Sequence, residues 1–248
     1  MKAIILAAGM GKRLQAVSGG KPKSMIEISN QSIIHRQIAS CRQAGIKNFV
    51  IVLGYRQDQM KNHILEILRP EDVVFVHNPI YDQTNTLYSL WLAGEHFTED
   101  FVYFNADVLF AAELLFRISG ESRYSQLLLE TKHCGEEEVK MIIDDNGKIL
   151  EIGKQLPRDR CAGEFIGIGK FKREVLDSFS RCLQLGVDRG QQNNYFEYAV
   201  NLLCREHYLQ AVSTEGLPCV EIDFPEDLER ARQLFGGEGN DPAVTDRH

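Results

Sequence analysis

Leu6-Ala7-Ala8-Gly9-Met10-Gly11-Lys12-Arg13-Leu14 is the segment from which the architecture of this chain can be worked out. An apolar run over residues 2–6 leads into it and predicts a buried strand, and the two glycines predict a loop directly after that strand. Small residues in such a loop let the backbone approach a ligand closely. A buried strand that ends in a ligand-binding loop is typical of the first βα unit of an α/β protein.

The rest of the chain alternates between short apolar runs and helical patterns. We predict strands at about residues 48–53, 73–77, 101–105, 125–132, 165–171 and 209–213, and a last one before Pro225. We predict helices near residues 32–44, 57–68, 86–93, 172–185, 195–207 and 225–235. This alternation indicates an α/β fold with a largely parallel sheet.

One segment interrupts the alternation. Residues 139–152 read VKMIIDDNGKILEI, and the Asn146-Gly147 pair between two apolar stretches predicts a small antiparallel hairpin. The chain has 248 residues, 44% of them hydrophobic, which is enough for one large core. We predict a single domain over residues 1–235. Residues 236–248, GGEGNDPAVTDRH, have little to bury and predict a disordered tail.

Charge and cysteine content argue against several classes of function. The formal net charge is -7 and the pI is about 5.6, so no overall positive field would attract nucleic acid or an anionic membrane. We therefore expect no nucleic-acid partner and no membrane insertion. The six cysteines lie far apart without a C-x-x-C pair, which favours reduced thiols in a cytoplasmic protein.

Local positive charge lies in and after the glycine-rich loop. The N–H groups of such a loop can surround phosphate oxygens, and Arg13 and Lys23 supply the cations. The same glycines are also compatible with an ordinary tight turn. A dinucleotide-binding loop is disfavoured, because Leu14 replaces the third glycine of G-x-G-x-x-G and the second strand ends at Leu53-Gly54 without a ribose-binding acid.

The stretch LAAGMGKRL followed by Pro22-Lys23 resembles the signature of the nucleotidyltransferase family that includes sugar-phosphate, inositol-phosphate and choline-phosphate nucleotidyltransferases. The resemblance extends to about Phe235. It implies a Rossmann-like three-layer fold of the nucleotide-diphospho-sugar transferase type, with a mostly parallel mixed central sheet. It also implies that Arg13 grips the leaving phosphates and Lys23 the reacting phosphates. The nucleotide-binding residues would be Leu6, Ala7, Ala8, Gly9 and Gly11.

The resemblance further implies Mg²⁺ as the cofactor, bound by two aspartates. FVYFNADVLF places Asp107 just past a predicted strand, and VEIDFPEDLERA, similar to the family's Asp-x-Pro-Glu-Asp segment, places Asp223 at the end of another. Two carboxylates suit Mg²⁺, which prefers oxygen ligands. Asp107 could instead cap a helix over residues 111–119, and Glu226 and Asp227 suit a helix N-terminus.

Residues 81–91, YDQTNTLYSLW, are similar to a stretch of choline-phosphate and aminoethylphosphonate cytidylyltransferases. This resemblance implies that Asn85 and Ser89 read the cytosine and the ribose of the nucleotide. The same stretch also predicts a helix capped by Asn85 or Thr84. Its apolar residues would then form a buried stripe, made of Leu87, Leu90 and Trp91.

Four residues are candidates for the acceptor site. NYFEY is similar to the aromatic-plus-acid stretch that those relatives use around a cationic head group, which implies roles for Tyr195 and Glu197. Glu197 would fit equally as a solvated acid in the first turn of a helix. Lys140 could point into the site from the hairpin, and Glu164 lies just before a strand. The run Glu136-Glu137-Glu138 predicts a solvated loop.

The resemblance implies transfer of CMP from CTP, or of another nucleotide, to a small acceptor of the phosphocholine or 2-aminoethylphosphonate type, with release of pyrophosphate. The acceptor phosphate or phosphonate is already anionic near neutral pH, so no general base is expected. A sugar-1-phosphate or inositol-phosphate nucleotidyltransferase is the nearest alternative. A non-catalytic nucleotide-binding regulatory domain is the alternative from another class, and it would fit if Asp107 and Asp223 did not converge.

Overall fold

The core of the computed structural model is a mixed β-sheet, and residues 1–237 are described. The strands are β1 Lys2–Ala7, β2 Glu27–Ile28, β3 Gln31–Ser32, β4 Phe49–Leu53, β5 Val73–His77, β6 Phe101–Asn105, β7 Val108–Phe110, β8 Ser125–Glu130, β9 Lys140–Ile143, β10 Ile149–Gly153, β11 Gly163–Phe171, β12 Leu209–Ser213 and β13 Cys219–Glu221. The α-helices are α1 Gln15–Ser18, α2 Ile33–Gln43, α3 Gln57–Ile64, α4 Thr86–Leu92, α5 Ala112–Ser119, α6 Arg173–Asp188, α7 Glu197–Leu203 and α8 Pro225–Phe235.

The main sheet follows the order β10-β9-β11-β6-β1-β4-β5, with β8 beside β11 and β12 beside β8. The strands β5, β4, β1 and β6 run parallel, as expected for consecutive βα units. β11 then pairs antiparallel with β6. The predicted hairpin is present as the antiparallel pair β9–β10. The α/β class with a mostly parallel mixed sheet and a small antiparallel hairpin is confirmed.

Helices cover both faces of the sheet because its central strands are buried on both sides. In β1, Ile4 and Leu6 pack in a cluster that includes side chains of α4, α6 and α7. The alternate residues Ala3 and Ile5 pack in a second cluster with side chains of α2, α3 and α5. Successive side chains of a strand point to opposite faces, so β1 contributes to both cores. The result is the expected three-layer arrangement.

Two helices are shorter than predicted. α3 ends at Ile64, and the following residues form tighter turns in which the N–H of Ile67 donates to the carbonyl of Ile64. α7 spans only Glu197–Leu203, and the N–H of the preceding Phe196 donates to the hydroxyl of Thr86 at 2.9 Å. In both cases the apolar periodicity of the sequence continues beyond the observed helix, but the helical conformation of the backbone does not. Strands β5, β6 and β12 and helix α8 have the predicted bounds.

The sequence predicts β13 as the last strand before Pro225, but it does not predict β7 or the antiparallel β7–β13 pair, which determines where two aspartates lie. Val108 pairs with Glu221 across this ladder. The N–H of Ile222 donates to the carbonyl of Asp107 at 3.0 Å. The pair therefore brings the residue before β7 next to the end of β13. Strands of three residues are too short to show a periodicity in the sequence.

Within residues 1–237, no helix is both long and apolar enough to cross a lipid bilayer. Most of the predicted tail, residues 238–248, lies outside the described part of the chain. Its disorder and the domain limit at residue 235 stay predictions.

Candidate active site

A cavity of about 490 Å³ opens at the carboxyl ends of β1 and β6. This is the edge at which open parallel sheets usually bind their ligands. The predicted nucleotide-binding residues all line it: Leu6, Ala7, Ala8, Gly9, Gly11, Asn85 and Ser89. The predicted catalytic residues line it as well: Arg13, Lys23, Asp107 and Asp223. The cavity thus joins residues from both ends of the chain.

Gly11 shapes the loop that follows β1. Its φ of +56° lies in the left-handed region that favours glycine. A Cβ atom on Gly11 would lie 2.8 Å from the Cβ of Lys23, which is closer than packed carbon atoms approach. The loop backbone therefore lies directly against Lys23, and no side chain fits between them.

Lys23 lies between the two predicted aspartates. Its Nζ is 2.6 Å from Oδ2 of Asp107 and 2.6 Å from Oδ1 of Asp223. Burial lowers the pKa of Lys23, but the charges of both aspartates outweigh burial and raise that pKa above its ordinary value. Burial raises the pKa of Asp223, and the Lys23 ammonium reverses this so that the pKa is lowered. The lysine is therefore a fixed cation at this point of the cavity.

The structure shows which of the aspartates considered as helix caps do cap a helix. Asp107 does not cap α5, because that helix has Ala111 at its N-cap and no side-chain capping bond. Asp227 does serve a helix N-terminus, since its Oδ2 accepts the N–H of Phe224 at 2.8 Å. The same oxygen accepts the N–H of Asp223 at 3.0 Å, which fixes the backbone of that residue. Neither Asp107 nor Asp223 thus serves as a helix cap, and both carboxylates line the cavity beside Lys23.

Asn85 and Ser89 line the cavity, and both also hold local structure. The Oδ1 of Asn85 accepts the N–H of Thr86 at 2.8 Å, so Asn85 caps α4 as the alternative predicted. The hydroxyl of Ser89 accepts a hydrogen bond from Nδ2 of Asn78 at 3.1 Å. The apolar stripe is buried at Leu87 and Leu90.

Glu197 is buried, so it is not the solvated first-turn acid that the sequence also allowed. It lies in the first turn of α7, is 5% exposed and lines the cavity. Its Oε2 is buried and accepts no hydrogen bond from the described residues. Burial raises the pKa of Glu197 to about 7, and the nearby Lys154 ammonium opposes that shift. Tyr195 lines the same part of the cavity, with Nζ of Lys154 5.0 Å from the centre of its ring.

The structure places two predicted acceptor residues elsewhere. Lys140 does not point into the cavity, because its Nζ is buried and donates to backbone carbonyls, including that of Lys154 at 2.6 Å. Lys140 thus joins the hairpin to the loop of residues 136–138, which we call the acidic loop. Glu164 also lies outside the cavity lining, and its carboxylate forms an ion pair with Lys132. Both side chains are committed to other partners, contrary to the prediction.

A family model described as the MobA-like NTP transferase domain matches residues 3–126. The chain belongs to this family. It is 33% identical over 241 residues to the choline-phosphate cytidylyltransferase of Streptococcus pneumoniae, covering 96% of this chain and all of that protein. It is 28% identical over 253 residues to the CTP:phosphoglutamine cytidylyltransferase of Campylobacter jejuni, covering 92% of this chain and 98% of that one.

Solved structures of related enzymes show the same fold. The CTP:phosphocholine cytidylyltransferase from Streptococcus pneumoniae matches with a TM-score of 0.79 at 21% identity, over 94% of this chain and 98% of that one. The inositol-1-phosphate CTP transferase from T. maritima matches with a TM-score of 0.77 at 21% identity, over 94% of each chain. The resemblance inferred from LAAGMGKRL is confirmed, and this NTP transferase family member is an enzyme of the nucleotidyltransferase class.

Sequence reasoning did not single out Glu221, which also lines the cavity of this NTP transferase domain. Burial raises the pKa of Glu221 well above its ordinary value, and the charges of Asp107 and Asp223 act in the same direction. Its Oε1 faces Nδ2 of Asn105 at 3.5 Å. The signal was available in the sequence, because residues two apart on a strand share a face and Glu221 is two residues before Asp223.

The carboxylates around Lys23 fit a divalent cation. Oδ1 of Asp107 is buried and accepts no hydrogen bond from residues 1–237, so one lone pair is available to a ligand from outside the protein. Three acidic side chains line this part of the cavity, Asp107, Glu221 and Asp223. Hard cations such as Mg²⁺ take oxygen ligands of this kind.

Arg13 and Lys154 are joined by a carboxylate from the acidic loop. Oε2 of Glu137 lies 3.6 Å from Nη2 of Arg13 and 3.9 Å from Nζ of Lys154. Arg13 also lies over the ring of Phe224, 4.6 Å from its centre. Lys154, like Glu221, lies outside the set of predicted site residues, and it lines the cavity on the side of Glu197.

A second group of potential metal ligands, His35, His63 and Glu66, does not line the cavity. The two imidazole rings are stacked at 3.9 Å and 11°, and a metal bound to both would have to lie far out of each ring plane. Nε2 of His63 pairs with the hydroxyl of Ser32 at 2.8 Å. We interpret the group as a structural contact between α2 and α3.

Proposed function

We propose that the protein is a Mg²⁺-dependent cytidylyltransferase that transfers CMP from CTP to a small phosphorylated or phosphonate acceptor and releases pyrophosphate. The observation that carries this proposal is the position of Lys23 between Asp107 and Asp223 at the cavity wall. A buried carboxylate oxygen of Asp107 remains available for a cation there. CTP is favoured over other nucleotides because two relatives that match over nearly their full length, at 33% and 28% identity, are named for it, whereas a uridylyltransferase of similar coverage is 25% identical.

The reaction is an in-line displacement at the α-phosphorus. An oxygen of the acceptor phosphate or phosphonate forms the new bond, and the bond from the α-phosphorus to the oxygen bridging to the β-phosphate breaks. Pyrophosphate leaves with that oxygen. A phosphomonoester loses its second proton with a pKa of about 6, so the nucleophile is already charged near neutral pH. No general base is therefore needed to deprotonate the nucleophile.

The protein's own task is to hold two anions together and to stabilise the charge that builds up between them. Lys23 is fixed by Asp107 and Asp223 and presents its ammonium at the point where the two halves of the chain meet. Arg13, on the exposed side of the loop, would bind the leaving phosphates. A magnesium ion held by Asp107 and Asp223 would supply further positive charge to the phosphate oxygens.

The acceptor would occupy the part of the cavity lined by Tyr195, Glu197 and Lys154. Glu197 supplies a carboxylate with one unpartnered oxygen, and Tyr195 supplies an aromatic ring. The carboxylate suits a small acceptor with a cationic head group, while the ring of Tyr195 already has the Lys154 ammonium over it. Such a site is poorly matched to a hexose, which offers hydroxyl groups and no positive charge.

The test is a matrix of CTP, UTP, ATP and GTP against phosphocholine, phosphoethanolamine, 2-aminoethylphosphonate, inositol phosphate and hexose 1-phosphates, with Mg²⁺ or with EDTA. Pyrophosphate is measured by a coupled assay, and the product is identified by ³¹P NMR. We expect acceptor-dependent pyrophosphate release with CTP and Mg²⁺ only. The Asp107→Asn variant is the control for contaminating activity. Reaction with hexose 1-phosphates alone would contradict the acceptor assignment, and no release with any pair would contradict the enzyme.

A further inference from the structure

Glu197 lines the cavity and carries one carboxylate oxygen that has no hydrogen-bond partner among residues 1–237. The side chain is 5% exposed, and no donor from residues 1–237 reaches its Oε2. A buried carboxylate oxygen without a donor is unfavourable unless a ligand supplies one. The Glu197 site is therefore built to accept a hydrogen bond from whatever occupies the cavity. Burial raises the pKa of Glu197 to about 7, so the acid can be ionised at neutral pH when a cation binds to it.

Aromatic surface is scarce in the same place. Among the described residues that line the cavity, the aromatic ones are Tyr81 and Tyr195. The ring of Tyr195 already has Nζ of Lys154 5.0 Å from its centre. Tyr81 packs against Gly54, where even a Cβ atom would lie 2.6 Å from the tyrosine side chain. One face of the Tyr195 ring is therefore already taken by Lys154, and two tyrosines are little of the aromatic surface on which a quaternary ammonium depends.

Primary and quaternary ammonium groups differ in what they need from a site. A primary ammonium donates hydrogen bonds and can approach a carboxylate oxygen to about 2.8 Å. A quaternary ammonium has no N–H, and its methyl groups keep the charge further from the carboxylate. It relies on aromatic faces instead. Lys154 already lies over the ring of Tyr195, so the aromatic contact on which a quaternary ammonium relies is in use, whereas a hydrogen bond to Glu197 does not depend on that ring.

We propose that Glu197 and Lys154 together make this site selective for an acceptor whose head group carries N–H donors, a primary ammonium rather than a quaternary one. Glu197 accepts the hydrogen bond of the ammonium. Lys154 disfavours an acceptor with a quaternary ammonium, because the lysine ammonium already lies over the ring of Tyr195 with which that group would otherwise interact. This inference rests on the proposed function and specifies the acceptor class for the same cavity.

The experiment compares acceptors that differ only in N-methylation: phosphoethanolamine, its N-methyl and N,N-dimethyl derivatives, and phosphocholine. With CTP and Mg²⁺, we expect kcat/KM to fall at each methylation and by roughly 10²-fold or more across the series, because sites built around a hydrogen bond strongly reject analogues that lack it. Equal or better use of phosphocholine would overturn the selectivity while leaving cytidylyl transfer intact. No pyrophosphate with any member would overturn the proposed function itself.

Two variants assign the selectivity to these residues. Glu197→Gln should raise KM for phosphoethanolamine strongly, raise KM for phosphocholine much less, and leave KM for CTP close to that of the wild type. Lys154→Met should raise the ratio of phosphocholine to phosphoethanolamine kcat/KM, whatever happens to each value. Glu174→Gln is the matched control, an exposed first-turn acid of α6 outside the cavity lining. Unchanged acceptor ratios in both variants would contradict the assignment, and melting curves show whether the variants fold.

Discussion

The ammonium nitrogen of Lys23 lies 2.6 Å from a carboxylate oxygen of Asp107, and this contact joins the glycine-rich loop region to the end of β6. The same nitrogen reaches Asp223 at an equal distance. One lysine thus forms ion pairs with two acids that are far apart in the sequence, and a net negative charge remains for a further cation. A divalent cation that binds these acids would use the same two carboxylates as Lys23, so the lysine and the cation are coupled.

Replacing Lys23 with methionine should lower kcat by roughly 10²- to 10³-fold, because a positioned cation that stabilises transition-state charge is lost. The variant should also melt at a lower temperature than the wild type in EDTA, since Asp107 and Asp223 lose their shared partner. Added Mg²⁺ should raise the melting temperature of the variant by more than it raises that of the wild type. Steady-state kinetics and melting curves with and without Mg²⁺ measure both effects.

Lys21→Met is the control for the loss of a lysine, because Lys21 is exposed and lies outside the cavity lining. Near wild-type turnover in Lys23→Met would contradict the role of Lys23 in the reaction. Equal Mg²⁺ effects on both melting temperatures would contradict the coupling between the lysine and the cation.

Much of the site could be predicted because the fold itself brings its parts together. Parallel strands place their carboxyl ends at one edge of a sheet, so a loop after β1 and an acid after β6 must lie close to each other. The family pattern then added Asp223. The sequence could not show how Asp223 reaches this edge, because the pairing of β7 with β13 involves only three residues on each side.

Lys140 shows why side-chain positions were harder to predict than strands. Its place in the hairpin was predicted, and β9 begins at this residue. Its direction depends on three backbone carbonyls, those of Glu136, Glu138 and Lys154, which only the folded chain brings together. The burial of Glu197 escaped prediction for the same reason, since a first-turn acid is usually solvated and the elements packed over α7 are distant in sequence.

Gly11→Ala should lower both stability and activity. The left-handed backbone at Gly11 costs roughly 1 kcal/mol for alanine. The new Cβ would also lie 2.8 Å from Lys23, so the loop or the lysine must shift. Gly19→Ala is a matched control, because Gly19 has a similar φ of +60° and no atom within 4 Å of the added Cβ. Thermal melts should show destabilisation in both variants, larger in Gly11→Ala because of the clash with Lys23, and kcat should fall strongly in Gly11→Ala alone. Equal kcat in the two variants would show that Lys23 tolerates the shift.

The acceptor KM should depend on pH through Glu197. Burial raises the pKa of this acid to about 7, so it becomes a carboxylate only as the pH rises through that value. Binding of an ammonium should therefore strengthen with rising pH, and KM for phosphoethanolamine should fall several-fold between about pH 6 and pH 8. The acceptor phosphate titrates in part of the same range. In the Glu197→Gln variant only the acceptor phosphate titrates, so this variant serves as the reference. In the wild type, KM should show a further dependence on pH that is due to Glu197. Parallel pH profiles in the two proteins would contradict the role of Glu197.

Glu137→Gln should lower KM for CTP. Glu137 lies within 4 Å of Arg13 and Lys154, two cations of the cavity wall, so its carboxylate competes with the phosphates of the nucleotide for Arg13. These side chains are largely exposed, and exposed ion pairs are weak, so we expect a decrease of only about two- to fivefold. The decrease should be largest at low ionic strength and shrink as salt is added. Glu136→Gln is the matched control, because Glu136 pairs with Arg158, which does not line the cavity. A higher KM for CTP in Glu137→Gln would mean that Glu137 positions Arg13 for the nucleotide instead of competing with it.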